Sequence, residues 1–300
     1  MSETRVEGTA ASLPAPRRGA SFRGQLDLTL TVLLIAPLAL LLGGAFFLPI
    51  GRLLLTSVTE PSLGLQQYHR LFAEPLFLQV IGRTLWIALA NTVAALLLGY
   101  PVAALMARPG RLVPKIAAAC VVVSMWTSAL VRSYAWIALI GRRGIINNLL
   151  TDAGLIERPL AMLYTPGAVL VGMTHILLPF MILPIFAALR ALPPELPRAA
   201  ANLGAGRLRT FLTIVLPLSL PGVFAGCLLV FVMSLGFYIT PALLGGPRTL
   251  MIATLISQQA TELLDWPFAG AISTVLLVLS LGTTILFKRV LRLERVVSHD

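Results

Sequence analysis

Residues 198–217 read RAAANLGAGRLRTFLTIVLP. The stretch lies between two long apolar runs. It carries alanines, two glycines and three arginines, and closes in an apolar segment that ends at Leu216-Pro217. It is too short to be a domain, and its pattern is too ordered for a featureless loop. Its meaning depends on what surrounds it, and composition settles that first. Of 300 residues, 57% are hydrophobic and only 12% are charged, with a mean hydropathy of +0.90. A soluble domain carries about 25% charged residues. One water-facing core cannot hide this much apolar surface, so the solvent is a lipid bilayer.

A helix crosses the hydrocarbon layer with about 20 mostly apolar residues. Six stretches of the sequence have that character: about 28–50, 85–106, 116–139, 168–188, 211–235 and 268–287. The expected fold is therefore an all-α polytopic membrane protein with about six transmembrane helices. Pro179, Pro184, Pro217 and Pro221 fall inside the fourth and fifth runs. Neighbouring helices can satisfy the carbonyls that prolines free, so these need not end a span. Gly222 and Gly226 form a small-residue pair four apart on the fifth run, a pattern for close helix contact.

Basic residues orient the chain. With the N-terminus inside, the cytoplasmic segments hold Arg5, Arg17, Arg18 and Arg23, then Arg108, Arg111 and Lys115. They also hold Arg190, Arg198, Arg207 and Arg209, and finally Lys288, Arg289, Arg292 and Arg295. That is most of the 23 basic residues. The pair Arg142-Arg143 in an outer loop is the main dissent. The balance places both termini in the cytoplasm. The net charge of +11 is met by anionic headgroups of membrane lipid, without any role for nucleic acid. The first apolar run has spanning length and no clear small-residue cleavage site, which argues against a signal peptide. Cys120 and Cys227 lie in apolar runs and read as buried small hydrophobes.

Several chemistries are missing. The only lysines are Lys115 and Lys288, and neither follows a glycine-rich turn into a helix, so there is no phosphate loop. His69, His175 and His299 are scattered and form no metal pair. No serine stands beside an evident base. Asp27 and Asp265 only border spans, too little for a carboxylate proton or sodium relay. The chain reads as a non-enzyme without cofactor or metal, and without an engine of its own. A pore-forming chain of that kind must couple to an engine elsewhere. In 198–217 the small residues let another protein approach the backbone, and the glycines permit a sharp bend. The competing reading is an ordinary basic connector.

Ala199-Ala200, then Gly204 and, further on, Ile214 and Leu216-Pro217 resemble the "EAA" loop of binding-protein-dependent ABC importer permeases. That motif runs Glu-Ala-Ala, three residues, Gly, nine residues, Ile-x-Leu-Pro. The resemblance spans residues 80–287. GYPVAALMA (99–107), WTSALVRSYAW (126–136), ILLPFMILPIFAALRAL (176–192), YITPALLGGP (238–247) and DWPFAGAIS (265–273) are similar to the spermidine/putrescine branch. The resemblance implies the type I importer permease fold in the cell inner membrane, with an ATPase-coupling loop at about 191–212. It implies that Glu195, Arg198, Ala199, Ala200, Gly204, Arg207, Ile214, Leu216 and Pro217 serve that loop. The partners implied are ATPase subunits that bind the ATP, a second permease subunit and a periplasmic solute-binding protein. One residue departs from the motif: its glutamate falls on Arg198, and Glu195 stands three residues earlier.

The resulting organisation is a cytoplasmic tail at 1–24, a first span with its periplasmic loop at 25–79, the importer domain at 80–287 and a cytoplasmic tail at 288–300. Polar and aromatic residues in or beside the spans are the candidates for the pathway: Asn91, Trp126, Arg132, Tyr134, His175, Tyr238 and Thr240. Each has a plainer alternative: snorkelling for Arg132, an inter-helix hydrogen bond for His175, and packing or interfacial anchoring for Trp126 and Tyr134. A polyamine would favour carboxylates, which the spans lack. Another small organic solute therefore stays open, and so, in a different class, does a secondary transporter or channel, although neither ionisable pairs nor inverted repeats are visible.

Overall fold

Apolar length and proline placement build the helices of the computed structural model, which describes residues 28–297 apart from 61 and 111. The N-terminal tail expected at 1–24 and the last three residues of the C-terminal tail lie outside the described residues. All the regular elements among the described residues are helical. The apolar segments are α1 (Thr31–Thr59), α3 (Pro75–Ala107), α7 (Pro166–Arg190), α9 (Arg207–Leu235) and α11 (Trp266–Val297), and a bent pair forms a possible sixth span. Shorter helices lie between them: α2 (Gln66–Ala73), α6 (Ile145–Asp152), α8 (Glu195–Asn202) and α10 (Ile252–Thr261). Contact grouping divides the chain into Met1–Ile50 and Gly51–Asp300. In the first unit the helix carries a π-helical segment, Leu42–Phe47, at Gly43-Gly44, and Leu33, Leu40 and Phe47 are exposed as lipid-facing side chains would be.

In the second unit α3 and α7 each start with proline, which lacks the N–H that a first turn leaves unpaired. Thr165 caps α7 by accepting from the Ala168 N–H at 3.2 Å. Pro101, Pro179, Pro184 and Pro221 stay inside their helices, as lipid-embedded helices allow. At 25 residues, α7 is longer than the roughly 30 Å hydrocarbon layer requires.

The core is the close contact of α3, α7 and α9. A Cβ placed at Gly222 would stand 2.5 Å from Ala188 Cβ and 2.6 Å from the Pro184 carbonyl oxygen. One at Gly226 would stand 2.8 Å from Met181 Sδ, and one at Gly99 would stand 3.1 Å from Met181 Cγ. The middle of α7 is thus gripped by glycines from both sides, with Met173, Leu177, Met181, Ile182 and Ile185 buried against them. A polar tie crosses the same three helices. Asn91 Nδ2 donates to Ser234 Oγ at 2.7 Å, and Thr174 Oγ1 donates to Asn91 Oδ1 at 2.8 Å. The pairings of 91 with 174 and of 99 with 181 run α3 alongside α7. The pairings of 222 with 188 and of 234, through Asn91, with 174 run α9 the other way.

A second, smaller apolar cluster ties α2, the start of α3, α10 and the start of α11: Leu71, Phe77, Val80, Ile252, Leu255, Phe268 and Ile272. Arg70 reaches Asp265 at 2.8 Å and lies over the Phe268 ring at 4.2 Å. Asp265 also caps α11 by accepting from the Phe268 N–H at 3.1 Å.

The third expected span is not straight. It is two helices, α4 (Val113–Trp126) and α5 (Ala129–Ile140), and the break turns the chain by 101°. Thr127 and Ser128 are extended, with ψ of 131° and 138°, and Ser128 Oγ accepts from the Leu130 N–H at 3.3 Å. Serine is a strong N-cap, and here it starts a new helix inside an apolar run. The 14 residues of α4 rise only about 21 Å. The other spans run longer than expected: α1 continues to Thr59, and α3 begins ten residues before Leu85.

Replacing Gly222 with leucine is expected to lower the thermal midpoint in detergent, since overpacking costs about 1–3 kcal/mol. Gly82→Ala, where a Cβ would meet nothing within 4 Å, is expected to hold or raise it, because alanine is the better helix former. An unchanged midpoint for Gly222→Leu contradicts the close contact.

Candidate functional site

The link between α7 and α9 is the element α8 with its C-terminal turn. Pro193 and Pro194 stop α7 from continuing, and Glu195 occupies the first turn of α8, where a carboxylate suits the helix N-terminus. The end of α8 closes as a Schellman motif. The Ala205 N–H donates to the Ala200 carbonyl at 2.9 Å and the Gly204 N–H to the Ala201 carbonyl at 3.0 Å. Gly204 has φ of +80°, the left-handed conformation this motif needs and only glycine adopts cheaply. Gly206 then turns extended, and its carbonyl accepts from the Thr210 N–H at 2.9 Å to start α9.

One side of this element packs on its own chain and the other is bare. Ala200 is buried, while Ile214 and Leu216 are half-buried at the start of α9. Leu203 is 88% exposed and Leu208 71%, with Leu196 also exposed. Glu195, Arg198, Ala199 and Arg207 are exposed as well, and so is Pro217. Among the described residues neither Glu195 nor Arg198 has an ion-pair partner. A Cβ at Gly204 or Gly206 would meet open space. Three leucines beside three arginines, with bare backbone between, make a surface that fits another protein better than it fits water. Behind it, α9 opens with a π-helical turn, Phe211–Val215. Phe211 sits edge-on to Tyr100 at 5.7 Å, and the Tyr100 hydroxyl bonds Ser219 at 2.9 Å. The start of α9, into which the element leads, is therefore packed on α3.

The pathway candidates fall into separate places. Asn91 is fully buried, with both ends of its amide used in the helix tie. Thr240 is also fully buried, bonded to Ser133 at 3.0 Å and packed on Gly172. Arg132 joins α5 to the neighbouring helices through long contacts from one terminal nitrogen, 3.4 Å to Ser124 Oγ and 3.5 Å to the Ile176 carbonyl, and its buried Nε has no partner. On α7, His175 Nδ1 accepts from Trp136 Nε1 at 3.3 Å. Trp126, at the α4 break, is 88% exposed, and Tyr134 and Tyr238 are exposed too. The structure brings together Ser133 with Thr240 and Trp136 with His175, and leaves Trp126 and Tyr134 apart. Ser133 and Trp136 escaped the sequence reading. The one signal for Trp136 was its place four residues after Arg132, on the same helix face.

The described residues thus form an all-α chain with five or six apolar spans, whose last two long helices before α10 are joined by an exposed, glycine-closed short helix. Residues 95–293 match the family described as binding-protein-dependent transport system inner membrane component, and the chain belongs to that family. Its place is accordingly the inner membrane, as a multi-pass component. The chain is 37% identical over 222 residues to the spermidine/putrescine transport system permease protein PotB of Escherichia coli (strain K12), covering 74% of this chain and 80% of that one. It is 37% identical over 215 residues to PotB of Haemophilus influenzae, covering 72% and 75%. A bacterial alginate ABC transporter, solved in complex with an alginate pentasaccharide-bound periplasmic protein, shares the fold. The TM-score is 0.68 at 18% identity, covering 86% of this chain and 92% of the other.

Cysteines introduced at Tyr238 and at Thr240 should separate cleanly. Tyr238→Cys is expected to react with an aqueous thiol reagent in membranes, and Thr240→Cys, packed between α5 and α7, to react far more slowly. Equal rates contradict the placement of Thr240.

Proposed function

We propose that the chain is one of two permease subunits around a single pathway for a small solute, with spermidine and putrescine as the favoured class. A periplasmic solute-binding protein delivers the solute. Separate ATPase subunits dock on α8 and bind the ATP, and no cofactor resides in this chain. Both termini face the cytoplasm, which puts α8 on the ATPase side and the α10 region on the periplasmic side.

The observation that carries this reading is the bare face of α8 and its turn. A solvated connector has no reason to expose Leu196, Leu203 and Leu208 together. The left-handed Gly204 closes α8 and keeps the space over its backbone open. The absence of a phosphate loop from the sequence supports an engine in another chain. The polyamine class is supported by the two PotB relatives, and the delivery partner by the periplasmic protein in the alginate transporter complex. The charge reversal at Arg198 leaves docking to shape: the alanines and the glycine form the fit, and an arginine at the rim adds little.

Co-purification with the genomic neighbours and uptake into liposomes test the reading. Uptake is expected to require ATP and the ATPase. Gly204→Leu should reach the membrane at normal abundance yet lose ATPase association and uptake. Its left-handed backbone costs about 1–2 kcal/mol for a non-glycine residue, and its side chain fills the space left for the partner. Gly204→Ala carries the strain without the bulk and is expected to be intermediate. Robust uptake by this chain alone, or wild-type uptake by Gly204→Leu with the ATPase bound, contradicts the proposal.

A further inference from the structure

At the far end of α9 from the coupling element lies an open cavity of about 310 Å³. Ile252 and Leu255 of α10 pack into the second apolar cluster, while Thr254, Ser257 and Gln258 of the same helix, with Glu262 just past its end, line the cavity. The wall opposite them is the irregular segment after α9, with Tyr238 and Pro241, and Leu250 closes the side. The irregular wall has its own local cause. Gly246 takes φ of +61°, and a Cβ there would stand 3.1 Å from Tyr164.

The lining combines three features that seldom occur together in this chain. Glu262 supplies a carboxylate, while the spans have essentially none. Tyr238 supplies an exposed aromatic face. Pro241 and Leu250 supply an apolar wall, and Ser257 and Gln258 supply neutral hydrogen-bonding groups. Among the described lining residues there is no lysine or arginine. A carboxylate and a ring face attract a cation, an apolar wall suits methylenes, and the volume is many times what a single water needs. Arg132, on α5, is held at the junction of α4, α5 and α7 and is not part of this lining.

We propose that this cavity is a receiving site for one ammonium head of an alkylammonium solute at the mouth of the pathway, with Glu262 supplying the countercharge and Tyr238 the ring face. The inference rests on the reading of the chain as a permease for small cationic amines, and it assigns that solute a first contact on this subunit.

The test uses membrane vesicles containing the full chain, with Cys120 and Cys227 replaced by serine and Ser257→Cys as reporter. A thiol reagent modifies the reporter with and without putrescine as the probe. Putrescine is expected to slow modification at Ser257→Cys. Adding Glu262→Gln or Tyr238→Leu should weaken that protection by about two- to fivefold each, the scale of one exposed ion pair or cation–π contact. Tyr238→Phe, which keeps the ring, should retain it. Absence of protection, or protection untouched by both Glu262→Gln and Tyr238→Leu, overturns the site. Uptake by the assembled complex is measured separately. Protection without polyamine uptake overturns the substrate reading and leaves the site standing. Uptake without protection does the reverse.

Discussion

The close approach of α7 to glycines on two neighbours is the constraint on which the rest of the structure depends. Gly99 on α3 and Gly222 and Gly226 on α9 leave room for Met181, Pro184 and Ala188 and for nothing larger. In a bilayer, burial gives helices no strong reason to associate, because lipid tails are as apolar as leucine. Packing at short range and polar ties must do it. The glycines give the first and the Asn91–Thr174–Ser234 group gives the second. With α7 and α9 locked together, the short helix that joins their ends is seated on a firm base. A push on α8 reaches two spans at once, and through Phe211 and Tyr100 it reaches α3. A contiguous packed path of this kind is one physical route by which a change at α8 could bias the spans, and mutant coupling measurements would be its evidence.

Arg132 shows how an intramembrane charge can be accommodated without a counterion. Its contacts are the Ser124 hydroxyl and the Ile176 backbone carbonyl, and among the described residues no carboxylate is paired with it. Its inward ties make Arg132 a joint between α5 and α7. Under the proposed polyamine reading, the carboxylate and the ring suited to a cation stand apart from it, in the cavity lined by Tyr238 and Glu262.

Much of this was legible in the sequence because it follows from local rules. Apolar run length located five of the helices to within a few residues at most ends, and the membrane tolerance of proline kept Pro179 and Pro184 inside one helix. The Gly222/Gly226 pair foretold a close contact, and Gly204 foretold a bend that only glycine takes cheaply. The break at Thr127-Ser128 was not legible: the run stays apolar on both sides, and one serine cap decides the outcome. Nor was the Arg70–Asp265 pair, which joins residues 195 positions apart. Asn91 and Thr240 carried a polar signal, but sequence cannot tell a polar group that lines a path from one that ties helices together. In this structure both residues are buried and bonded across helices.

The most direct measurement is site-specific photo-crosslinking in the assembled complex from Leu203, the most exposed leucine of the coupling element. Trp126, equally exposed but at the α4 break, serves as the control position. A crosslinker at Leu203 is expected to capture the ATPase subunit, with a yield that changes when a non-hydrolysable ATP analogue is added, while one at Trp126 captures none. No ATPase adduct from Leu203 in a complex that still transports its solute would show that α8 is only a basic connector, and would contradict the account at its centre.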